Sequence, residues 1–196
     1  DKLIQIMAAN KKLCNHIHLP MQSGDNDVLK RMNRGYSAEH YYNLVKKLRK
    51  AIPDIAITTD VIVGFAGETE QQYENTLEIM KKIKFDFAFM FKYSPREGTK
   101  AAEFTNQIPE KIRLARLSKL IALQNEITHE KYQNQIGKIK YVHVESISKK
   151  SDEEVAGKTG DFKITVFKGD RSFIGKIVKV KIIDAVGWTL KGEIVE

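Results

Sequence analysis

One stretch constrains this sequence more than any other. It is a run of β-branched residues that stops on a glycine turn and leads into a helix cap. Residues 55–63 end in Thr59-Asp60-Val61-Ile62-Val63, and Gly64-Phe65-Ala66-Gly67-Glu68-Thr69 follows. β-Branched side chains suit a pleated, buried surface, so 55–63 is read as a buried strand. Thr69 and Gln72 have capping-box spacing, which predicts a helix over 70–83 that buries Tyr73, Leu77 and Met80. Gly64 and Gly67 let the backbone turn sharply and approach a ligand closely. In α/β folds ligands sit just outside the carboxyl ends of strands, so this turn is a candidate floor for a small-molecule site. It is not a phosphate-cradling P-loop, because no Gly-Lys-Ser/Thr follows.

The flanking sequence repeats the strand–helix rhythm. Residues 1–9 read as the end of a helix, and 15–20 as a short strand stopped by Pro20. A short helix is expected over 25–32. Ser37 caps the next helix, whose Tyr41, Leu44, Val45 and Leu48 recur at helical spacing. Lys46, Lys47, Arg49 and Lys50 lie near its C-terminal end, where cations favour the helix dipole; they read as a solvated face. Residues 85–93 form an aromatic strand in which Phe85, Phe87, Phe89, Phe91 and Tyr93 alternate with Asp86, Ala88, Met90 and Lys92. The aromatic face is expected to pack on helices. After Pro109 a long helix runs to about Gln135, with Ile112, Ala115, Leu120, Leu123 and Ile127 as expected buried positions. Such alternation implies parallel βαβ units.

At Gly137 the rhythm changes. Residues 139–147, 162–167, 175–183 and 189–195 are short strand-like runs separated by Gly, Asp, Ser and Lys. They predict a small all-β domain, a five-stranded barrel, over 136–196, after an α/β part over 1–135.

Composition excludes several classes. There is no apolar run of membrane-spanning length and no signal-peptide pattern, which predicts a soluble, cytoplasmic chain with no membrane partner. The single cysteine, Cys14, cannot make an internal disulfide and reads as a small buried apolar residue. The net charge of +8 permits a polyanionic partner. Basic residues outnumber acidic ones by 21 to 16 in residues 1–135 and by 12 to 9 in residues 136–196, so the excess is spread over both parts.

Three strand ends carry polar residues on one expected rim. Gln22-Ser23-Gly24 follows the first strand, Gly64 the second, and Arg96 the aromatic strand; Arg34, after a short helix, can pair with a carboxylate. His16 and His18 share a strand face, but no third ligand stands near them, so no metal site is assigned. In the β part, Lys149, Lys150, Lys158, Lys163, Lys168 and Arg171 interleave with Phe162, Phe167 and Phe173. That composition suits RNA, with phosphates on cations and bases on rings, and equally suits phenylalanines filling a barrel kept soluble by lysines.

His18-Leu19-Pro20-Met21-Gln22-Ser23-Gly24 and Leu29-Lys30-Arg31-Met32-Asn33-Arg34-Gly35-Tyr36 closely resemble the radical-SAM methylthiotransferases. So do the 59–69 stretch and Phe91-Lys92-Tyr93-Ser94-Pro95-Arg96 with Gly98-Thr99. Residues from about 136 to 196 resemble that family's RNA-binding TRAM barrel. Ala66 and Glu97 stand where the family usually has proline, Lys158 where it often has arginine, and Asp60 replaces the first glycine of a glycine–isoleucine–glycine pattern.

The resemblance implies the C-terminal part of a partial TIM-type barrel followed by a TRAM, OB-like barrel. It implies an enzyme that adds a methylthio group to C2 of N6-isopentenyladenosine beside the tRNA anticodon. A 5′-deoxyadenosyl radical from S-adenosylmethionine would abstract the hydrogen, with two 4Fe–4S clusters in the intact enzyme. The family's cluster cysteines are not in this sequence, and it does not begin with methionine. It is therefore expected to be the second half of a longer polypeptide, inactive alone, with no catalytic residue and no metal ligand of its own. Cofactor contacts are expected from Gln22, Ser23, Arg34, Ile62, Gly64, Phe91 and Tyr93. RNA contacts are expected from Arg96, Lys149, Lys150, Lys158, Lys163, Lys168 and Phe162. The expected partners are the tRNA anticodon stem–loop and the missing N-terminal part. An exposed sheet edge invites pairing with a second copy. The competing readings are relatives acting on threonylcarbamoyl-adenosine or on a ribosomal protein, and a non-catalytic RNA-binding module.

Overall fold

The computed structural model describes residues 1–195, and they divide into two compact units. An α/β unit holds Ile17–Pro53 and Ile57–Ile127; a barrel unit holds Asp1–His16, Asp54–Ala56 and the chain from Thr128 onward.

The elements of the first part are α1 (Lys2–Ala9), β1 (His16–His18), α2 (Asn26–Arg31), α3 (Ala38–Ala51), β2 (Ala56–Val63), α4 (Glu70–Ile83), β3 (Phe87–Lys92) and α5 (Glu110–Gln133). β1, β2 and β3 form one sheet in that order, with β2 and β3 parallel. The caps follow from short polar side chains that satisfy orphan helix donors. Asp25 accepts from Asp27 N and Val28 N, Ser37 accepts from His40 N, and Thr69 and Gln72 close the expected capping box.

One face of the sheet is core. Ile57, Thr59, Val61, Val63 and Ala88 are buried, and Tyr41 of α3 reaches in to donate to Leu19 O at 2.5 Å. α4 buries Tyr73, Leu77, Met80 and Ile83. The other face corrects an expectation. Phe87, Phe89 and Phe91 lie opposite Thr58, Asp60 and Ile62 and are 40–51% exposed, so no helix covers them. A period-two pattern fixes which side chains share a face, not which face the helices take; they take the side with small Ala88. Phe85 is fully buried, but it precedes β3.

Two further expectations fail for related reasons. Ile112 and Ala115 are exposed, because the buried stripe of α5 runs through Arg116, Leu120, Gln124 and Ile127. That stripe has helical spacing but two polar members, so hydrophobicity misplaces its phase. Cys14 is exposed rather than buried, in the turn between α1 and β1. On α3, Arg49 is half-buried and donates to Lys84 O, so it does not belong to the expected solvated face.

The barrel is closed, in the order β4-β5-β6-β8-β7, from β4 (Ile139–Ser148), β5 (Ser151–Thr159), β6 (Ile164–Lys168), β7 (Ile177–Val186) and β8 (Thr189–Ile194). β6 and β8 are parallel and the other pairs antiparallel, the strand order of an OB-like barrel. Its interior is Val142, Val144, Val155, Phe167, Val180, Ile182 and Leu190, closed by Tyr132 at the end of α5. β5 is the strand that the sequence runs omit. Its Asp152-Glu153-Glu154 has no strand propensity, and pairing on both sides holds it. Gly157 within it is obligatory: an added Cβ would lie 2.2 Å from His143 O of β4.

Candidate functional site

The site is built at the carboxyl ends of β2 and β3. β2 runs into Gly64 at φ +73°, and Gly64 N donates to Glu68 Oε2 at 2.7 Å. Glu68 is 2% exposed and takes Arg116 Nη1 of α5 at 2.8 Å; the same nitrogen also donates to Glu68 O. Arg116 Nη2 reaches Glu70 at 2.9 Å. Burial raises the Glu68 carboxyl, against the Gly64 N–H and the Arg116 guanidinium, which lower it. One helical turn earlier, Arg113 donates to Tyr93 O, and its Cγ lies 2.4 Å from where a Gly64 Cβ would stand. Gly67 is crowded in the same way by Asn106 Nδ2, at 2.1 Å. The close approach expected of both glycines is therefore to the protein's own side chains. Two arginines of α5 clamp the ends of β2 and β3 together.

Beside this turn opens a cavity of about 680 Å³. Its floor is Ile62, Phe65, Tyr93 and Phe104, and the Phe65 and Tyr93 rings meet edge to face at 4.7 Å. Lys30, Arg31, Arg34 and Lys100 line its walls. Arg31 is tied to Gln72 Oε1 at 3.1 Å, while Lys30, Arg34 and Lys100 are exposed. An apolar floor under several cations, in this size range, suits a ligand with a flat ring and an anionic group.

Three of the seven expected cofactor residues, Arg34, Ile62 and Tyr93, line this cavity. The other four lie outside its lining. Gln22 is buried at φ +66°, and its backbone extends the sheet through Asp60 O and Ile62 N. Ser23 is fully enclosed; its hydroxyl lies 3.3 Å from that of Thr76 and accepts from Asp25 N. Gly64 is enclosed by Arg113, and Phe91 lies on the exposed face of the sheet. Arg96 is exposed and outside the lining. His18 contacts Thr58 Oγ1 at 3.0 Å and Asp60 Oδ2 at 3.4 Å. No group of three His, Cys, Asp or Glu side chains that could hold a metal occurs among the described residues.

The expected RNA residues divide. Lys149 and Lys150 are exposed in the β4–β5 turn, and Lys168 is exposed opposite Glu154. Lys158 pairs with Glu145 at 3.3 Å and lies over Phe162, which is 52% exposed, adopts φ +67° and stacks on His16 at 4.8 Å. Lys163 is a correction. It is 4% exposed and pairs with Asp161 at 2.8 Å, because the turn before β6, tied to Thr159 through Lys163 N and O, sets it inward, so it offers no cation to a ligand on the surface. Phe167 fills the barrel and Phe173 packs against its core. Sequence reasoning missed Glu68, Arg113, Arg116 and Asp161. The i, i+3 spacing of the two arginines on α5 was the one available signal.

A segment at the ends of parallel strands and an OB-like barrel define a class, and the sequence agrees. Residues 1–80 match the Radical SAM superfamily and residues 133–195 match the TRAM domain. The chain thus pairs a radical SAM segment with a TRAM domain, and its resemblance to the radical-SAM methylthiotransferases holds over its whole length. It is 46% identical to a tRNA-2-methylthio-N(6)-dimethylallyladenosine synthase of Carboxydothermus hydrogenoformans across 100% of this chain and 44% of that protein. The synthase of Anoxybacillus flavithermus is also 46% identical, across 100% of this chain and 37% of that protein. The chain spans less than half the length of these relatives. Among solved structures, the Escherichia coli coproporphyrinogen III oxidase HemN, described as a radical SAM enzyme, aligns at a TM-score of 0.51 and 14% identity. That alignment covers 74% of this chain and 41% of HemN, and it speaks for the fold alone.

Proposed function

We propose that this chain is the C-terminal part of a tRNA-modifying methylthiotransferase. The intact enzyme adds a methylthio group to C2 of N6-isopentenyladenosine next to the anticodon. The observation that carries the reading is the 46% identity, along all of this chain, to synthases named for that product. Residues 1–135 are then the C-terminal part of a partial TIM-type barrel, and the β1-β2-β3 order, with β2 and β3 parallel, supports this. Residues 136–196 are the RNA-binding part, whose partner is the tRNA anticodon stem–loop. No helix among the described residues is long and apolar enough to cross a membrane, and a tRNA-acting enzyme works in the cytoplasm.

The cavity fits the adenosyl and methionine parts of S-adenosylmethionine. Arg34 would hold the carboxylate, while Ile62 and the Tyr93 ring would pack on the adenine. Bound S-adenosylmethionine supplies the hydrogen-abstracting chemistry and the methyl group. This chain's residues bind and orient it and exclude water. The two 4Fe–4S clusters of the intact enzyme need cysteines that this sequence, with Cys14 alone, does not contain. They would come from the N-terminal part of the same polypeptide. Without that part this segment is inactive, and the β1 and β3 edges of its sheet are expected to pair with a second copy.

The test is product analysis on the intact protein reconstituted with its clusters. Nucleoside mass spectrometry should show methylthiolation of isopentenyladenosine in tRNA. Turnover instead of threonylcarbamoyl-adenosine or a ribosomal protein, or of none of the three, overturns the reading. For the cavity, Arg34→Ala should weaken S-adenosylhomocysteine binding about tenfold, as loss of a charge-assisted hydrogen bond does. Unchanged affinity in calorimetry removes Arg34 from the site.

A further inference from the structure

We propose that the barrel holds single-stranded RNA on the outer face of β4 and β7, with Tyr141 stacking on a base and Lys179 and Lys181 holding phosphates. This rests on the RNA-binding reading of the barrel. Strand alternation sends Val142, Val144, Val180 and Ile182 inward. It leaves Ile139, Tyr141 and His143 of β4 outside, beside Ile177, Lys179 and Lys181 of β7. The register sets Tyr141 opposite Lys179, Ile139 opposite Lys181 and His143 opposite Ile177. Side chains paired in this way stand close enough to act on one ligand. Tyr141 is 62% exposed, and among the described residues its side chain has neither a ring contact nor a hydrogen bond. The surface continues across β5, where His143 lies opposite Lys158 and the Lys158 ammonium stands 5.0 Å from the exposed Phe162 ring. Rings and cations therefore alternate across three strands, as on a stacking platform.

Charge selects this face over the other. OB-like barrels often bind oligonucleotides across their second and third strands, here β5 and β6. On this barrel Lys149, Lys150 and Lys168 share that side with Asp152, Glu153 and Glu154, which repel phosphate. On the β4–β7 face the acids are Glu145, engaged with Lys158, Asp184 near the end of β7, opposite Lys191 and accepting from Ala185 N at 2.7 Å, and Glu193, opposite Lys181 on β8. Among the described residues Lys179 and Lys181 have no ion-pair partner, which leaves them to phosphates.

The experiment is fluorescence anisotropy of this chain with a short labelled single-stranded RNA over a salt series. Tyr141→Ala should weaken binding about tenfold, as loss of one stacked base does, and Tyr141→Phe should bind as the parent. Lys179→Gln with Lys181→Gln should lower the slope of log K against log salt by about 1.4, the value for two phosphates on a single strand. Lys149→Gln, Lys150→Gln and Lys168→Gln together should change affinity by less than about twofold, since rim charges without a phosphate partner contribute little. The reverse ranking, or parental binding by Tyr141→Ala, overturns the assignment of this face and leaves the RNA reading standing. No salt-dependent binding by the parent chain overturns both. Trp188 fluorescence melts verify that each variant keeps the barrel.

Discussion

Arg116→Ala is expected to destabilise the α/β unit by about 3–5 kcal/mol, the cost of leaving a buried carboxylate without its cation. Glu68 is 2% exposed, and its Oε2 holds both Gly64 N and Arg116 Nη1. Once the guanidinium is gone, burial pushes the Glu68 carboxyl further up, opposed only by the Gly64 N–H and the charge of Arg31. The sign of the pH dependence follows. A carboxyl raised in the folded state is neutral there while still ionised in the unfolded chain, so stability falls as pH rises through the folded value. The deficit of Arg116→Ala should thus be largest at neutral pH and shrink toward acid. Far-UV circular dichroism in urea reads the helices of this unit, while the single tryptophan, Trp188, reads the barrel. Arg116→Ala with Glu68→Gln should recover part of the loss. A variant as stable as the parent at neutral pH would show that the clamp contributes nothing.

The same clamp explains what could and could not be read from the residues. Capping boxes, proline stops and β-branched runs act over a few residues, so Thr69–Gln72, Ser37 and β2 were legible as they stand. The strict alternation of β3 was legible too, but its consequence was not, because burial of a face depends on what the rest of the fold lays against it. Nothing local in the sequence sets Arg116 apart from the other charges of α5. Its role comes from Glu68, 48 positions away in sequence, and no local pattern joins them. Lys163 failed in the opposite direction: a lysine among strand residues reads as surface, and Asp161 makes it interior. Of the expected cofactor residues, those on strand ends and on the α2 turn, Arg34, Ile62 and Tyr93, converge on one cavity. Gln22 and Ser23, close to them in motif, are spent on the sheet bridge and on Thr76. A motif therefore marks the neighbourhood of a site without separating the residues that touch a ligand from those that shape the backbone beneath it.

Asp161→Asn should cost the barrel about 3 kcal/mol at neutral pH, because it removes the carboxylate that pairs with the buried Lys163 ammonium at 2.8 Å. The Asp161 side chain is 8% exposed, with Lys163 Nζ at 2.8 Å and Lys140 Nζ at 3.5 Å. Burial pushes this carboxyl up, but the charges of Lys163 and Lys140 and the hydrogen bonds from Lys163 and Thr159 more than offset it and hold it at about 2, against an ordinary 3.8. The group is therefore depressed in the folded state. Its contribution, about 2.5 kcal/mol from the size of the shift, is present above the unfolded value and lost as pH falls from about 4 to about 2. Parent and variant should differ most at neutral pH and converge in acid, where the parent also carries a protonated Asp161. Urea titrations followed by Trp188 fluorescence at both ends of that range measure the difference. Adding Lys163→Met to the variant should recover part of the loss, since an apolar chain of similar volume removes the buried charge that has lost its Asp161 carboxylate and keeps the contact with Tyr132, over whose ring Lys163 now lies at 5.9 Å. If the single variant instead matches the parent at neutral pH, the pair is a by-product of the turn between β5 and β6 rather than a stabilising element. If the double variant is no better than the single, the loss lies in packing at position 161 and not in the broken Asp161–Lys163 pair.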